Sequence, residues 1–210
     1  MIKTRLLRVD PRDPPLAVLK EAAGVLLKGG LVAFPTETFY GLGANALDSS
    51  AFSRVYAVKG RPENKPLLVL VDSVRMVETL VEAIPPAALV LMTRYWPGPL
   101  TLVLKAVGGL PAHLTAGTGT IGVRLPAHPV AFGLVRAAGV PITAPSANRS
   151  GEEPPTTAAE VLEAFDGKIE LVVDGGATKG GLPSTILDLT VAPPRILRKG
   201  ALELPEGAYR

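Results

Sequence analysis

Apolar residues in this chain recur either at helical spacing or in short unbroken runs, and the two kinds of segment alternate irregularly. Residues 14–28, PPLAVLKEAAGVLLK, carry apolar positions every three to four residues, with prolines at the start and Gly29-Gly30 behind; this spacing predicts a helix. LVAF (31–34) then reads as a buried strand ending at Pro35, followed by a glycine-bearing loop, PTETFYGLGANAL. Asp48 or Ser49 can cap a second helix running to about Val58. LLVLV (67–71) is a second buried strand, and helices are expected from about Ser73 and about Pro86.

In the second half, LTLVLKA (100–106) and TIGVRLP (120–126) read as strands, the latter closed by Pro126. PVAFGLVRAAG (129–139) has Pro at its first turn and Gly at its end, the usual punctuation of a helix. PITA (141–144) is a short strand leading into the loop PSANRSGEEPP. Thr157 and Glu160 form a T-x-x-E capping box opening the helix TAAEVLEAF. IELVVDGG, STILDLT and RILRKGA supply three more strands. Irregular alternation of this kind predicts an α/β domain with a mixed sheet flanked by helices. No repeat or linker-like shift in composition divides the chain, so residues 1–210 are expected to form one domain, with about 1–13 an N-terminal extension and about 202–210 a frayed tail.

Composition narrows the chemistry. The 210 residues are 47% hydrophobic and 20% charged, and a chain of this size buries roughly 70% of its unfolded surface. It has no cysteine, which removes disulfides, thiolate metal sites and a cysteine nucleophile. Its two histidines, His113 and His128, cannot complete a zinc site without carboxylates. No stretch approaches the roughly 18 apolar residues of a membrane span, and the charged, proline-bearing N-terminus does not read as a signal peptide; a cytoplasmic protein without membrane association is expected. The net charge of +3 permits an anionic ligand without demanding nucleic acid. There is no glutamine and only three asparagines, beside 21 prolines. This suits heat adaptation and drift in base composition equally.

Four loops carry polar groups that packing does not require. In PTETFYGLG, Thr36 and Thr38 flank Glu37 at a strand end, where open α/β sheets place ligands, and Gly41 and Gly43 would let backbone approach one closely. In AVKGRPENKPLLVLV, Lys59, Arg61 and Lys65 crowd among prolines. Held together they repel by roughly 4 kcal/mol per close pair at an effective dielectric of 20, so a bound polyphosphate or carboxylate must compensate unless the side chains splay into water. Thr120 and Arg124 share one side of a strand in which Arg124 is the lone charge. Ser146 and Asn148 follow a strand and can bond either a ligand or their own turn. Ser184 and Arg198 lie on or beside short C-terminal strands. Neither histidine sits in a nucleophile-elbow context, which argues against a Ser-His-Asp hydrolase. Cations and hydroxyls without a nucleophile suit phosphoryl or nucleotidyl transfer.

FPTETFYGLGANA, KGRPENKPL, WPGPLTLVL, GVRLPAHP, PSANRSG, PSTILDL and ILRKGA, in this order over about residues 14–201, resemble the YrdC/Sua5 family of threonylcarbamoyl-adenylate synthases, in its short single-domain form. The resemblance implies an open, twisted YrdC-like sheet with a large basic concave face. It implies a nucleotidyltransferase that makes L-threonylcarbamoyl-adenylate and pyrophosphate from L-threonine, bicarbonate or CO2, and ATP with Mg²⁺, the metal held mainly by the phosphates and not by protein side chains. The product feeds downstream tRNA-modification transferase machinery that forms threonylcarbamoyladenosine, with weak tRNA or RNA binding as a further implication. Lys59 and Arg61 are then the catalytic pair. Thr36, Arg124, Ala144 and Ser184 face threonine, while Lys59, Arg61, Thr120, Ser146, Asn148 and Arg198 face the nucleotide. Lys65 stands where relatives carry asparagine, and Pro154 where many carry serine. The rival readings are an RNA-binding module without chemistry, disfavoured by 5% aromatic content, and a paralogue of the same fold acting on another carbamoyl or nucleotide substrate.

Overall fold

Residues 2–62, 66–205 and 207 are described by the structure, a computed structural model. The expected mixed sheet is present in two hydrogen-bonded sections. The first has the order β1 (Arg5–Arg8), β8 (Leu171–Asp174), β2 (Val32–Pro35), β3 (Tyr40–Gly43). The second runs β10 (Arg195–Arg198), β9 (Thr185–Asp188), β5 (Leu100–Lys105), β6 (Thr120–Arg124), β4 (Val69–Leu70), β7 (Ile142–Thr143). Parallel and antiparallel pairs mix in both. β3 and the segment through β7 join the sections: Leu42 donates its amide to Pro145 O at 2.8 Å, and Ala147 to Tyr40 O at 2.8 Å. That seam brings the PTET loop against the PSAN loop.

Helices cover the faces where the strands are apolar. α1 (Leu16–Leu27) packs on α6 (Pro129–Ala138), closed by Gly139 in the left-handed conformation. The two approach so closely that a Cβ on Gly133 would lie 2.6 Å from Leu19 Cδ1. Together they bury Val32, Phe34, Leu70, Ile142 and Val173. The opposite face buries Val69, Leu102, Leu104, Ile121, Val123 and Leu187 under α2 (Ser49–Lys59), α4 (Pro86–Tyr95) and α7 (Ala158–Phe165). α2 is capped by the Asp48 carboxylate, and α7 by the predicted capping box between Thr157 and Glu160. The short α3 (Val74–Glu78) begins at Ser73 as expected.

One part of the sheet stays open. Val103, Thr120, Gly122 and Ile186 are half-buried, while the residues alternating with them are buried. Strand alternation therefore places Thr101, Thr120, Arg124 and Ser184 on a single uncovered side.

Two strands and a helical turn went unread in the sequence. β1 lies in the segment expected to be an extension, yet it pairs with β8 from Arg5↔Leu171 to Arg8↔Asp174. Its RLLR pattern is that of an exposed edge strand. β3 was read as loop because of its glycines, but all four residues are buried. A Cβ on Gly43 would lie 2.7 Å from Phe34 Cε1, so this glycine makes room for a core ring and not for a ligand. α5 (Ala112–Thr115) is a single turn. Among the described residues no helix is long and apolar enough to cross a membrane.

Candidate active site

β6 delivers Arg124 to the open face, where it is 4% exposed. Its Nη2 stands 2.6 Å from Glu37 Oε1, yet neither Nη2 nor Nε, nor either Glu37 oxygen, makes an aligned hydrogen bond. The contact is electrostatic, with donor capacity unspent. Beside it, immediately ahead of β9, is buried Ser184, whose hydroxyl meets Thr101 Oγ1 at 2.9 Å and accepts from Arg198 Nη2 at 3.0 Å. Arg198 Nε also donates to Ser184 O at 3.0 Å. Burial, then the neighbouring Arg124 and Arg61, depress the Arg198 pKa. Three guanidinium groups therefore share one field.

Lys59, the last residue of α2, is 3% exposed. Its ammonium donates to Ser146 O at 2.5 Å and Asn148 O at 2.6 Å. Burial lowers its pKa to about 8, helped by Arg61 and opposed by Glu152. Lys59 and Arg61 are thus gathered, not splayed. Lys65 lies outside the described residues.

A pocket of about 170 Å³ is lined among others by Thr36, Arg124, Ala144, Ser146, Ser184 and Arg198; Lys59 and Arg61 do not line it. Phe39, Tyr40, Leu68, Pro145, Pro154 and Pro183 add apolar wall. The Tyr40 hydroxyl faces away from it, donating to Gly176 O at 2.7 Å, and burial raises its pKa. The floor under Ser184 is clamped: Thr185 Oγ1 donates to Leu202 O at 2.6 Å and accepts from Gly200 N at 3.1 Å. A Cβ on Gly200 would collide with the Pro183 carbonyl and the Ser184 backbone. Gly200→Ala is expected to cost about 1–3 kcal/mol, as overpacking does, read as a lowered Tm in thermal unfolding.

The Sua5/YciO/YrdC family model, described as telomere recombination, matches residues 24–200. The chain belongs to this family. It is 50% identical over 188 residues to the threonylcarbamoyl-AMP synthase of Pyrococcus abyssi, covering 90% of this chain and 55% of that protein. The crystal structure of P. abyssi Sua5 complexed with L-threonine superposes with a TM-score of 0.91 at 47% identity, over 95% of this chain and 58% of the other. E. coli YciO superposes at 0.88 with 25% identity, over 99% and 100%. The chain spans just over half the length of the first curated Sua5/YciO/YrdC relatives it matches.

Not every position singled out from the family pattern reaches the pocket. Thr120 is on the same side as Arg124 but four residues up the strand, about 13 Å away, and its hydroxyl pairs with Thr118 Oγ1 at 2.9 Å. Asn148 Nδ2 is spent within its own loop, donating to Arg149 O and Glu152 O at 2.9 and 2.6 Å, while its buried Oδ1 makes no hydrogen bond. It lines a neighbouring hollow that shares Pro154 with the first. Thr36 lines the pocket while its hydroxyl closes a turn onto Phe39 O at 2.8 Å. Both histidines serve structure: His128 caps α6 through Nδ1, and His113 stacks on Phe52 with its Nε2 at Ala46 O. Thr101 was missed, although a hydroxyl inside LTLVLK was a visible anomaly. Glu37 was noted, but not its contact with Arg124.

Proposed function

We propose that this domain is an L-threonylcarbamoyladenylate synthase. It converts L-threonine, bicarbonate or CO2, and ATP with Mg²⁺ to threonylcarbamoyl-AMP and pyrophosphate for tRNA modification. One observation carries this above the others: a pocket of amino-acid dimensions has a buried arginine, Arg124, in its wall, and opens beside a cluster of further cations. The names of the relatives and the threonine complex of P. abyssi Sua5 support it.

In this reading Arg124, which lines the pocket, takes the threonine carboxylate with the part of its guanidinium that Glu37 does not face. Thr36, Ala144 and Ser184 hold the rest of the amino acid, with Ser184 kept in place by Thr101 and Arg198. The threonine amine adds to CO2 and loses a proton, giving a carbamate. A carbamate oxygen then forms a bond to the α-phosphorus as the bond to the β-phosphate bridge breaks and pyrophosphate leaves. Lys59, Arg61 and Arg198 neutralise the phosphates and the charge that builds on the departing group. Ser146 and Asn148 shape the nucleotide side, Lys59 tying their backbone together, and Thr120 stands further out on the same face. Mg²⁺ arrives with ATP, held by its phosphates.

The test is pyrophosphate release by the purified protein, omitting one substrate at a time. Release is expected to need MgATP, bicarbonate and L-threonine together. Equal release without an amino acid, or with any amino acid, overturns this assignment in favour of a paralogue with another substrate.

A further inference from the structure

A face that gathers Lys59, Arg61, Arg124 and Arg198 has a sorting problem. Inorganic phosphates and nucleotide phosphates are attracted to every one of these groups, including the arginine that the amino acid needs. Glu37 supplies a discriminator. It does not line the pocket, although Thr36 and Thr38 on either side of it do. It stands behind Arg124, Oε1 at 2.6 Å from Nη2. Both its oxygens are buried and make no hydrogen bond, so Arg124 is the close charge it answers. Its field also reaches His128, where it partly opposes the effect of burial.

We propose that Glu37 is a specificity-determining positioning residue that cancels the charge of Arg124 and so reserves the Arg124 end of the pocket for the carboxylate of a zwitterion, barring phosphates from that end; this rests on the reading of the pocket as the amino-acid site. The Arg124–Glu37 pair has no net charge, yet Arg124 still lines the pocket. An amino acid enters with one carboxylate and its own ammonium, sets a single negative charge against Arg124 and adds no net charge on binding; the carbamate forms later, on the amine and not at Arg124. A phosphate or pyrophosphate brings two or more negative charges, and each is repelled by the buried Glu37 carboxylate. Arg61 and Arg198 have no such pairing among the described residues, so phosphates collect at their end. Arg124 and Arg198 line the same pocket, and a single buried carboxylate thereby makes its two ends unlike in charge.

The test is calorimetric titration with inorganic pyrophosphate, an assay that needs neither turnover nor threonine. The wild type is expected to bind one pyrophosphate per chain, and Glu37→Gln, which keeps shape and loses charge, two. The second is expected to vanish in Glu37→Gln/Arg124→Met, and Glu37→Asp to return to one. One pyrophosphate per chain in a folded Glu37→Gln protein, checked by circular dichroism, overturns the proposal. Should that variant not fold, the wild type decides: pyrophosphate is expected to leave threonine affinity within about twofold, and direct competition between the two overturns it. Failure of threonine to bind at all counts against the assignment of the pocket, whereas the pyrophosphate stoichiometry still decides the role of Glu37.

Discussion

Arg124→Met is expected to abolish threonine binding and with it pyrophosphate release. Truncating one member of a buried, hydrogen-bonded charge pair costs about 2–5 kcal/mol, which is roughly 30-fold to several thousand-fold in affinity. The same change strands Glu37, whose two oxygens are buried with Arg124 as their near cation, and an unpaired buried charge costs about 3–5 kcal/mol of stability. Binding and folding must therefore be separated. In Arg124→Met/Glu37→Gln both charges are gone, so the Tm is expected to recover while calorimetry still finds no threonine binding. If threonine binds the double variant at wild-type affinity, Arg124 is not the group that holds it.

Lys59→Met is expected to lower pyrophosphate release by roughly 10³-fold or more, the scale on which cations at a transferring phosphoryl group act. The loop also loses the ammonium that ties Ser146 O to Asn148 O, so a fall in Tm worth about 1–3 kcal/mol accompanies it. Its pKa gives a second readout. Folding lowers Lys59 from 10.5 to about 8, so the empty site loses this cation as pH rises through 8, and the KM for ATP is expected to climb there. Between about pH 8 and 10.5 the unfolded chain holds more protons at this residue than the folded one. Stability therefore gains with pH across that window in the wild type, and Lys59→Met lacks the gain. A flat KM profile from pH 7 to 9.5 would remove Lys59 from nucleotide binding.

Much of the fold could be read from the chain because its elements are strongly punctuated. Pro129 and Gly139 bracket α6, Asp48 caps α2, and the Thr157–Glu160 box opens α7 as its spacing announces. β3 could not be read that way, because Gly41 and Gly43 give it a turn-like composition, and what Gly43 makes room for, the Phe34 ring packed across the strand pair, shows only once the strands are paired. β1 eluded the pattern because an edge strand owes its register to β8 and not to its own burial. At the site, Arg124 is conspicuous in the sequence as the one charge in an apolar strand, and in the structure it is buried. Glu37 was not readable as its partner, since 87 positions separate them and only the packing of sheet and loop closes the gap. The local bonds of Asn148 and Thr120 are equally a matter of loop geometry, which residue type alone leaves open.

Arg198 belongs to β10, a margin of the sheet with β9 as its sole ladder partner and a register irregularity between Ile196 and Arg198. Arg198, proposed to meet the phosphates, is thus mounted on an edge strand and fastened through Ser184. Peeling of that margin would withdraw a positive charge and slacken Ser184 in the same motion, without disturbing the core. Occupancy and edge integrity are therefore thermodynamically linked: whatever anion seats against Arg198 also acts as a rivet for the last strand.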